Sequence, residues 1–258
     1  MRVRSRETAD GAGESALSAQ KSAAPTTPPA RDGLIASRVH TLIVLAVIVG
    51  WVLIGKLLSD RLGVQHPNRV RSYLIALAWE WLMFALVVGG VLRARVALGS
   101  VIGPRWRSWR ALLTDIGIAA GFWVAAAVLL QLLGMLLRIT SVGTAVRAML
   151  PRGGLEIALW LVLSVSAGIC EETIFRGYLQ RQLTVLSRSS LAGILLAAAV
   201  FGAEHAYQGW GHAILDGLFG AMFGALAYWR RSVRPGMIAH AWNDAFMGIL
   251  AASMLRAR

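Results

Sequence analysis

A chain of 258 residues that is 57% hydrophobic and 15% charged, with a mean hydropathy of +0.61, is too apolar for an ordinary soluble domain. Its formal net charge of +13 does not point to nucleic acid, because Lys and Arg fall mainly in an amino-terminal tail and in loops between apolar runs. They read as topogenic charges and contacts to membrane lipid headgroups. The single cysteine, Cys170, excludes an internal disulfide and, lying in apolar sequence beside Glu171, reads as packing.

Residues 1–32 are rich in Ala, Ser, Thr, Pro and Arg, include the run Pro25 to Pro29 and hold no apolar stretch, so a disordered tail is expected. No signal peptide is read there, since the first apolar stretch, Val39 to Leu58, has the length of a spanning helix. A loop with Pro67, Asn68, Arg69 and Arg71 leads to a second span, Tyr73 to Leu92. Glu80 stands at its middle, and with no acid-base partner nearby in sequence its expected role is a structural hydrogen bond. The most basic loop follows, Arg93 to Arg110, with Trp106 and Trp109 as interfacial anchors.

The third span is Leu112 to Leu137. The fourth apolar run begins at Leu155 and reaches Cys170 to Gly177, and the stretch from Gly177 to Leu186 either extends that helix or lies in the interface. The fifth segment is Leu191 to His205. The sixth, Ala213 to Tyr228, carries Gly217, Gly220 and Gly224, which permit close helix contact, and the last is Met237 to Leu255. The expected fold is therefore all-α, a polytopic transmembrane helical bundle of about seven spans. The Lys and Arg distribution favours an inside amino terminus.

Two adjacent carboxylates and an arginine, Glu171, Glu172 and Arg176, end an apolar run. Each charged group inside a span costs at least about 2.5 to 3.5 kcal/mol, so the trio either marks a site facing the bundle interior or ends a helix as an interfacial salt bridge. Glu172 and Arg176, four residues apart, pair on one face, which leaves Glu171 as the candidate reactive group. Phe201 with His205 and His240 with Asp244 repeat that spacing. A turn near Arg188 lies seventeen residues from both Glu171 and His205, so antiparallel helices meeting there set the two at one depth. A carboxylate and an imidazole at one level can activate a water, while His240 with Asp244 or Asn243 can polarise a carbonyl oxygen or ligate a metal.

Helix-to-helix hydrogen bonding is the plainer reading of each histidine. Glu204, His212 and Asp216 rank second, Glu204 because it faces away from Phe201 and His212 because it lies in a Gly-rich loop. His240 stands only five residues after Pro235 and so shallower than His205, unless a bend at Gly177 lifts Glu171 and His205 toward it.

These patterns, Glu171-Glu172 with Arg176, Phe201 with His205 and His240 with Asp244, resemble the CPBP family of intramembrane proteases, also called type II CAAX prenyl endopeptidases or the ABI family. The resemblance covers about Leu155 to Leu255 and makes 155–258 a catalytic core preceded by the helices of 33–154. It implies peptide-bond hydrolysis inside the membrane, with Glu171 as general base, His205 as its partner, and His240 and Asp244 at the oxyanion. Glu172, Arg176, Phe201 and Asn243 would support the site. Asp244 stands where many members have Asn; an ionised Asp repels an oxyanion, so it must be protonated, bind a metal or yield to Asn243.

The metal stays open. The Glu171-His205 pair can work without one, whereas Glu171, His205 and His240 make a plausible zinc set. The substrate class implied is a peptide or a lipidated, CaaX-type protein, with bacteriocin self-immunity or a noncatalytic scaffold as the alternative and a proton-coupled transporter behind both. A multi-pass membrane location follows, the plasma membrane if the source is bacterial.

Overall fold

The computed structural model describes residues 33–62, 68–139 and 144–256; the tail expected at 1–32 lies outside them. Among the described residues every regular element is helical. In chain order these are α1 (Arg38–Leu62), α2 (Arg69–Arg93), the short α3 (Leu98–Ile102), α4 (Trp109–Leu136), the short α5 (Thr144–Met149), α6 (Gly154–Glu171), a π-helical stretch (Glu172–Leu179), α7 (Gln180–Ser187), α8 (Ser190–Glu204), a 3₁₀ turn (His205–Gln208), α9 (Trp210–Arg230) and α10 (Arg234–Arg256).

Several helices begin earlier than the apolar runs do, because polar residues that read as loop serve as caps. Asn68 Oδ1 accepts from Arg71 N at 3.1 Å, Ser108 Oγ from Ala111 N at 3.2 Å, and Ser189 Oγ from Ala192 N at 3.2 Å. Each satisfies a donor that the first turn would leave open. The turn at Arg188 is present, with that residue in the left-handed region at φ 57° closing α7.

Five stretches are long and apolar enough to cross a bilayer: Arg38–Gly55, Arg69–Arg93, Trp109–Leu136, Gly154–Ser187 and Ser190–Gln208. α9 and α10 have 21 and 23 residues, a spanning length, but fall short in apolarity. They carry His212 and Asp216, and His240, Asn243 and Asp244. Five of the roughly seven expected spans are thus established by length and composition. The outward faces fit a lipid solvent: Leu42, Leu82 and Leu136 are 65%, 65% and 77% exposed, where a water-soluble bundle would set polar side chains.

The inner side of the bundle is built on Val44, Ile48, Met83, Val87, Phe175, Tyr178 and Phe201, with a second cluster of Phe219, Phe223, Ala119 and Ala239. Two glycines set helix distances that nothing larger allows. A Cβ on Gly168 would lie 2.5 Å from Met237 O and 3.0 Å from Ala241 N, so α10 runs directly against α6. A Cβ on Gly202 would lie 2.5 Å from Ala213 O, so α8 and α9 are similarly close.

Between α6 and α7 the chain continues without a break, as an extension rather than a separate interfacial helix, but as a π-helix. All eight of its residues, Glu172 to Leu179, are buried. Wide π turns are rare and concentrate at functional sites. The amino-terminal entry is fastened to this stretch and its sequel. Gln182 Oε1 accepts from Ile35 N at 2.9 Å while its Nε2 donates to Ala36 O at 3.0 Å and Thr41 Oγ1 at 2.6 Å. His40 Nε2 lies 3.1 Å from Leu86 O; a carbonyl only accepts, so Nε2 carries a proton, and in the neutral ring Nδ1 accepts from Tyr178 OH at 2.7 Å.

Candidate functional site

The π-helical stretch brings the charges of Glu172 and Arg176 into the bundle, where water is absent and each needs a partner. Arg176 Nη1 donates to Glu172 Oε1 at 2.9 Å, and the two side chains are 2% and 0% exposed. The guanidinium lies 4.4 Å from the Phe201 ring centre and 5.1 Å from that of Phe223, so aromatic faces take the part of the cation that the carboxylate does not. Glycine makes the space. A Cβ on Gly236 would come 2.9 Å from Glu172 Oε2, and one on Gly220 would come 3.2 Å from Arg176 Nη2.

His240 is buried on α10 and meets three carboxylates. Its Nδ1 lies 3.0 Å from Glu172 Oε1, and since a carboxylate accepts, the proton sits on Nδ1. That turns Nε2 toward Glu171 Oε2 at 3.7 Å and Asp244 Oδ2 at 3.5 Å. The shallow start of α10 does not separate His240 from Glu171, because Gly168 lets the two helices touch one turn below. Asp244 is held in turn by neighbours: Asn243 Nδ2 donates to its Oδ1 at 3.2 Å and Trp160 Nε1 to its backbone O at 2.9 Å.

His205 stands where α8 passes into the 3₁₀ turn. Its Nδ1 donates to Phe201 O at 2.9 Å, which leaves Nε2 as the nitrogen available to a substrate or water. Phe201 joins the two histidines, its ring centre 4.6 Å from the His205 imidazole and 6.2 Å from that of His240. The sequence residues Glu171, Glu172, Arg176, Phe201, His205, His240, Asn243 and Asp244 therefore gather in one region of the bundle.

Three acidic residues outside the leading set also belong there. Glu80, expected to serve a structural hydrogen bond, is within hydrogen-bonding reach of Ser166 and also lines a small, partly open pocket together with Glu171 and Glu204. Its Oε2 is buried without a hydrogen-bond partner. Sequence spacing could not reveal this, because α2 and α6 come together only through packing. Glu204, ranked second, reaches the same pocket while accepting from Trp79 Nε1 at 3.3 Å. Asp216 on α9 keeps a buried Oδ2 without a hydrogen-bond partner, within electrostatic reach of His205 and His240.

Among the described residues no group of three or more His, Cys, Asp or Glu side chains is placed to hold a metal ion. Glu171, His205 and His240 are not among such a group; the two imidazoles are oriented separately, His240 by Glu172 and His205 by the Phe201 carbonyl.

An apolar helical bundle holding carboxylates and imidazoles at contact distance in its interior is a membrane protein with a buried acid-base centre. The family model described as "Type II CAAX prenyl endopeptidase Rce1-like" matches residues 153–246, from the start of α6 into α10. Over that stretch, a little over a third of the chain, the protein is similar to this family, which is one of membrane proteases. Comparison with curated proteins and with solved structures gives no match.

Proposed function

We propose that the protein is an intramembrane endopeptidase in which Glu171 takes the proton of a water that attacks the peptide carbonyl. The observation that carries this is the placement of His240: Nδ1 fixed at 3.0 Å by Glu172, Nε2 presented at 3.7 Å to Glu171. A carboxylate beside an oriented imidazole, in a site shielded from bulk water, can both activate a nucleophile and stabilise the charge it creates. His205, whose Nε2 is open, assists by holding the water or protonating the departing amine. His240 and Asp244 face the developing oxyanion, with Asn243 beside them. Glu172, Arg176 and Phe201 are positioning residues that hold His240 and the π-helical stretch.

The substrate class proposed is a membrane-associated or CaaX-type prenylated protein, reached from a multi-pass position in the membrane, the plasma membrane if the source is bacterial. The test is hydrolysis of a prenylated CaaX peptide and its unprenylated control by the purified chain, with and without chelator. Glu171→Gln keeps shape and removes the base, so the rate should fall by at least about a hundredfold while the protein stays folded. An unchanged rate removes Glu171 from the mechanism; activity lost on chelation and restored by zinc replaces unaided water activation with a metal-bound one.

A further inference from the structure

The end of the bundle where α2, α7 and α9 finish is strongly basic. Residues 93–115, 180–190 and 228–236 hold ten arginines and a single acid, Asp115, and Arg181 Nη1 donates to Ser100 O across this end. Asp115 is buried and already engaged: Arg230 Nη2 donates to its Oδ1 at 2.6 Å and Trp106 Nε1 to its Oδ2 at 2.8 Å. A diffuse positive face would treat every arginine alike, yet three of the ten lie against tryptophan rings. The guanidinium carbon of Arg234 is 4.7 Å from the ring centre of Trp106, that of Arg110 is 5.5 Å from Trp109, and that of Arg230 is 5.8 Å from Trp229. All three pairs belong to one corner, where α4 begins and α9 passes into α10. The loops that form this corner are joined. Val233 N donates to Ile102 O at 3.0 Å, and a Cβ on Gly103, at φ 105°, would lie 2.7 Å from the Ser232 Cα, so the segment carrying Trp106 is pressed on the turn before Arg234.

A ring beside a guanidinium favours the cation without neutralising it. Among the described residues no carboxylate pairs with Arg110 or Arg234, so the terminal N–H forks of both remain for an oxyanion, and a phosphate fits such a fork bidentately. The surroundings specify a lipid phosphate rather than a free one. Trp109 is the first residue of a helix long and apolar enough to span the bilayer, which sets it at headgroup level. Leu113, one turn deeper on the same face, is exposed as Trp109 is. We infer that this corner binds an anionic phospholipid, with Arg234 and Arg110 on its phosphate and Trp109 and Leu113 against the upper part of an acyl chain. Asp115 is a positioning residue there: it holds Arg230 and orients the Trp106 ring on which Arg234 rests. The site stands apart from the peptidase chemistry and is tested without it.

The full chain purified in a neutral detergent is titrated calorimetrically with dioctanoyl phosphatidylglycerol, with zwitterionic dioctanoyl phosphatidylcholine and with soluble glycerol 3-phosphate. The anionic lipid should bind at least about tenfold more tightly than either of the others. Arg234→Gln should weaken it at least about fivefold, the loss of a charge-assisted pair of hydrogen bonds. Arg93→Gln and Arg188→Gln remove the same charge from exposed positions at the ends of α2 and α7, and each should change the affinity by less than about twofold. If Arg234→Gln does not fold, Arg110→Gln, at an exposed position, serves the same comparison. Equal binding of the two lipids overturns the inference. Equal weakening by all the arginine variants also overturns it, because the affinity then belongs to the field of the whole basic face and not to this corner. Glycerol 3-phosphate bound as tightly as the anionic lipid overturns the lipid assignment and leaves a site for free phosphate.

Discussion

Removing the Glu172 carboxylate is the most searching perturbation of the site's scaffold, because one side chain holds both Arg176 and His240. In Glu172→Ala the guanidinium of Arg176, 2% exposed, loses its 2.9 Å acceptor, and His240 Nδ1 loses the 3.0 Å acceptor that orients it. Breaking a buried ion pair from one side costs about 3 to 5 kcal/mol, mostly the penalty of leaving the other charge unpaired. The lost charged acceptor at His240 is worth about 1.5 to 3 kcal/mol alone, but the two losses share one group and do not add. A destabilisation of about 3 to 5 kcal/mol is therefore expected, and it should shrink to about 1.5 to 3 kcal/mol in an Arg176→Met background, where no guanidinium is stranded and only the His240 acceptor is lost. The chain's ten tryptophans report equilibrium unfolding in mixed micelles titrated with denaturing detergent. Turnover should fall through kcat more than through KM, because His240 is freed to rotate away from the oxyanion. Unfolding of Glu172→Ala within about 0.5 kcal/mol of the parent would refute the claim that this pair is buried and mutually dependent.

Gly168→Leu should separate α6 from α10, since even a Cβ there meets the backbone of Met237 and Ala241. A cost of about 1 to 3 kcal/mol and loss of peptidase activity are expected, whereas cross-linking rates between the helices that match the parent's would contradict the close approach. Gln182→Leu should strand Ile35 N–H and Ala36 C=O at a cost of about 1 to 3 kcal/mol each, read as faster amide exchange at Ile35; exchange as slow as the parent's would dismiss the clamp. Asp244→Asn should keep or raise activity and flatten its loss toward high pH, because an amide N–H donates to an oxyanion at any pH whereas a carboxyl does so only when protonated. A rate that collapses in Asp244→Asn would show that the negative charge beside His240 Nε2, 3.5 Å away, is itself required.

Helical periodicity and length made the elements themselves legible. The runs beginning at Val39, Tyr73, Leu112, Leu155, Leu191, Ala213 and Met237 each lie in a helix, and the pairing of Glu172 with Arg176 follows from four-residue spacing on one helix. What spacing along one helix cannot carry is the neighbour across the interface. His240 looked too shallow to reach Glu171 because depth was counted in residues from Pro235; the crossing point of α6 and α10 is set instead by Gly168, whose small size matters only once its partner is known. The short helices Leu98–Ile102 and Thr144–Met149 were hidden for a related reason, being too brief and too mixed in composition to show a period.

The case of Glu80 carries this furthest. In sequence it is a lone acid at the middle of a span, ninety-one residues from Glu171 and with no partner at helical spacing. The family match beginning at residue 153 leaves its helix aside as well. Yet an acid so placed must be paired, protonated or used, since lipid offers it nothing, and the rule that makes it costly also makes it informative. Ser166 lies within hydrogen-bonding reach of the Glu80 carboxyl, while its Oε2 has no hydrogen-bond partner and the residue lines a pocket with Glu171 and Glu204. The groups proposed to react belong to the carboxy-terminal helices, and α2 adds to them the third carboxylate of the pocket, which only the packing of α2 against α6 brings there.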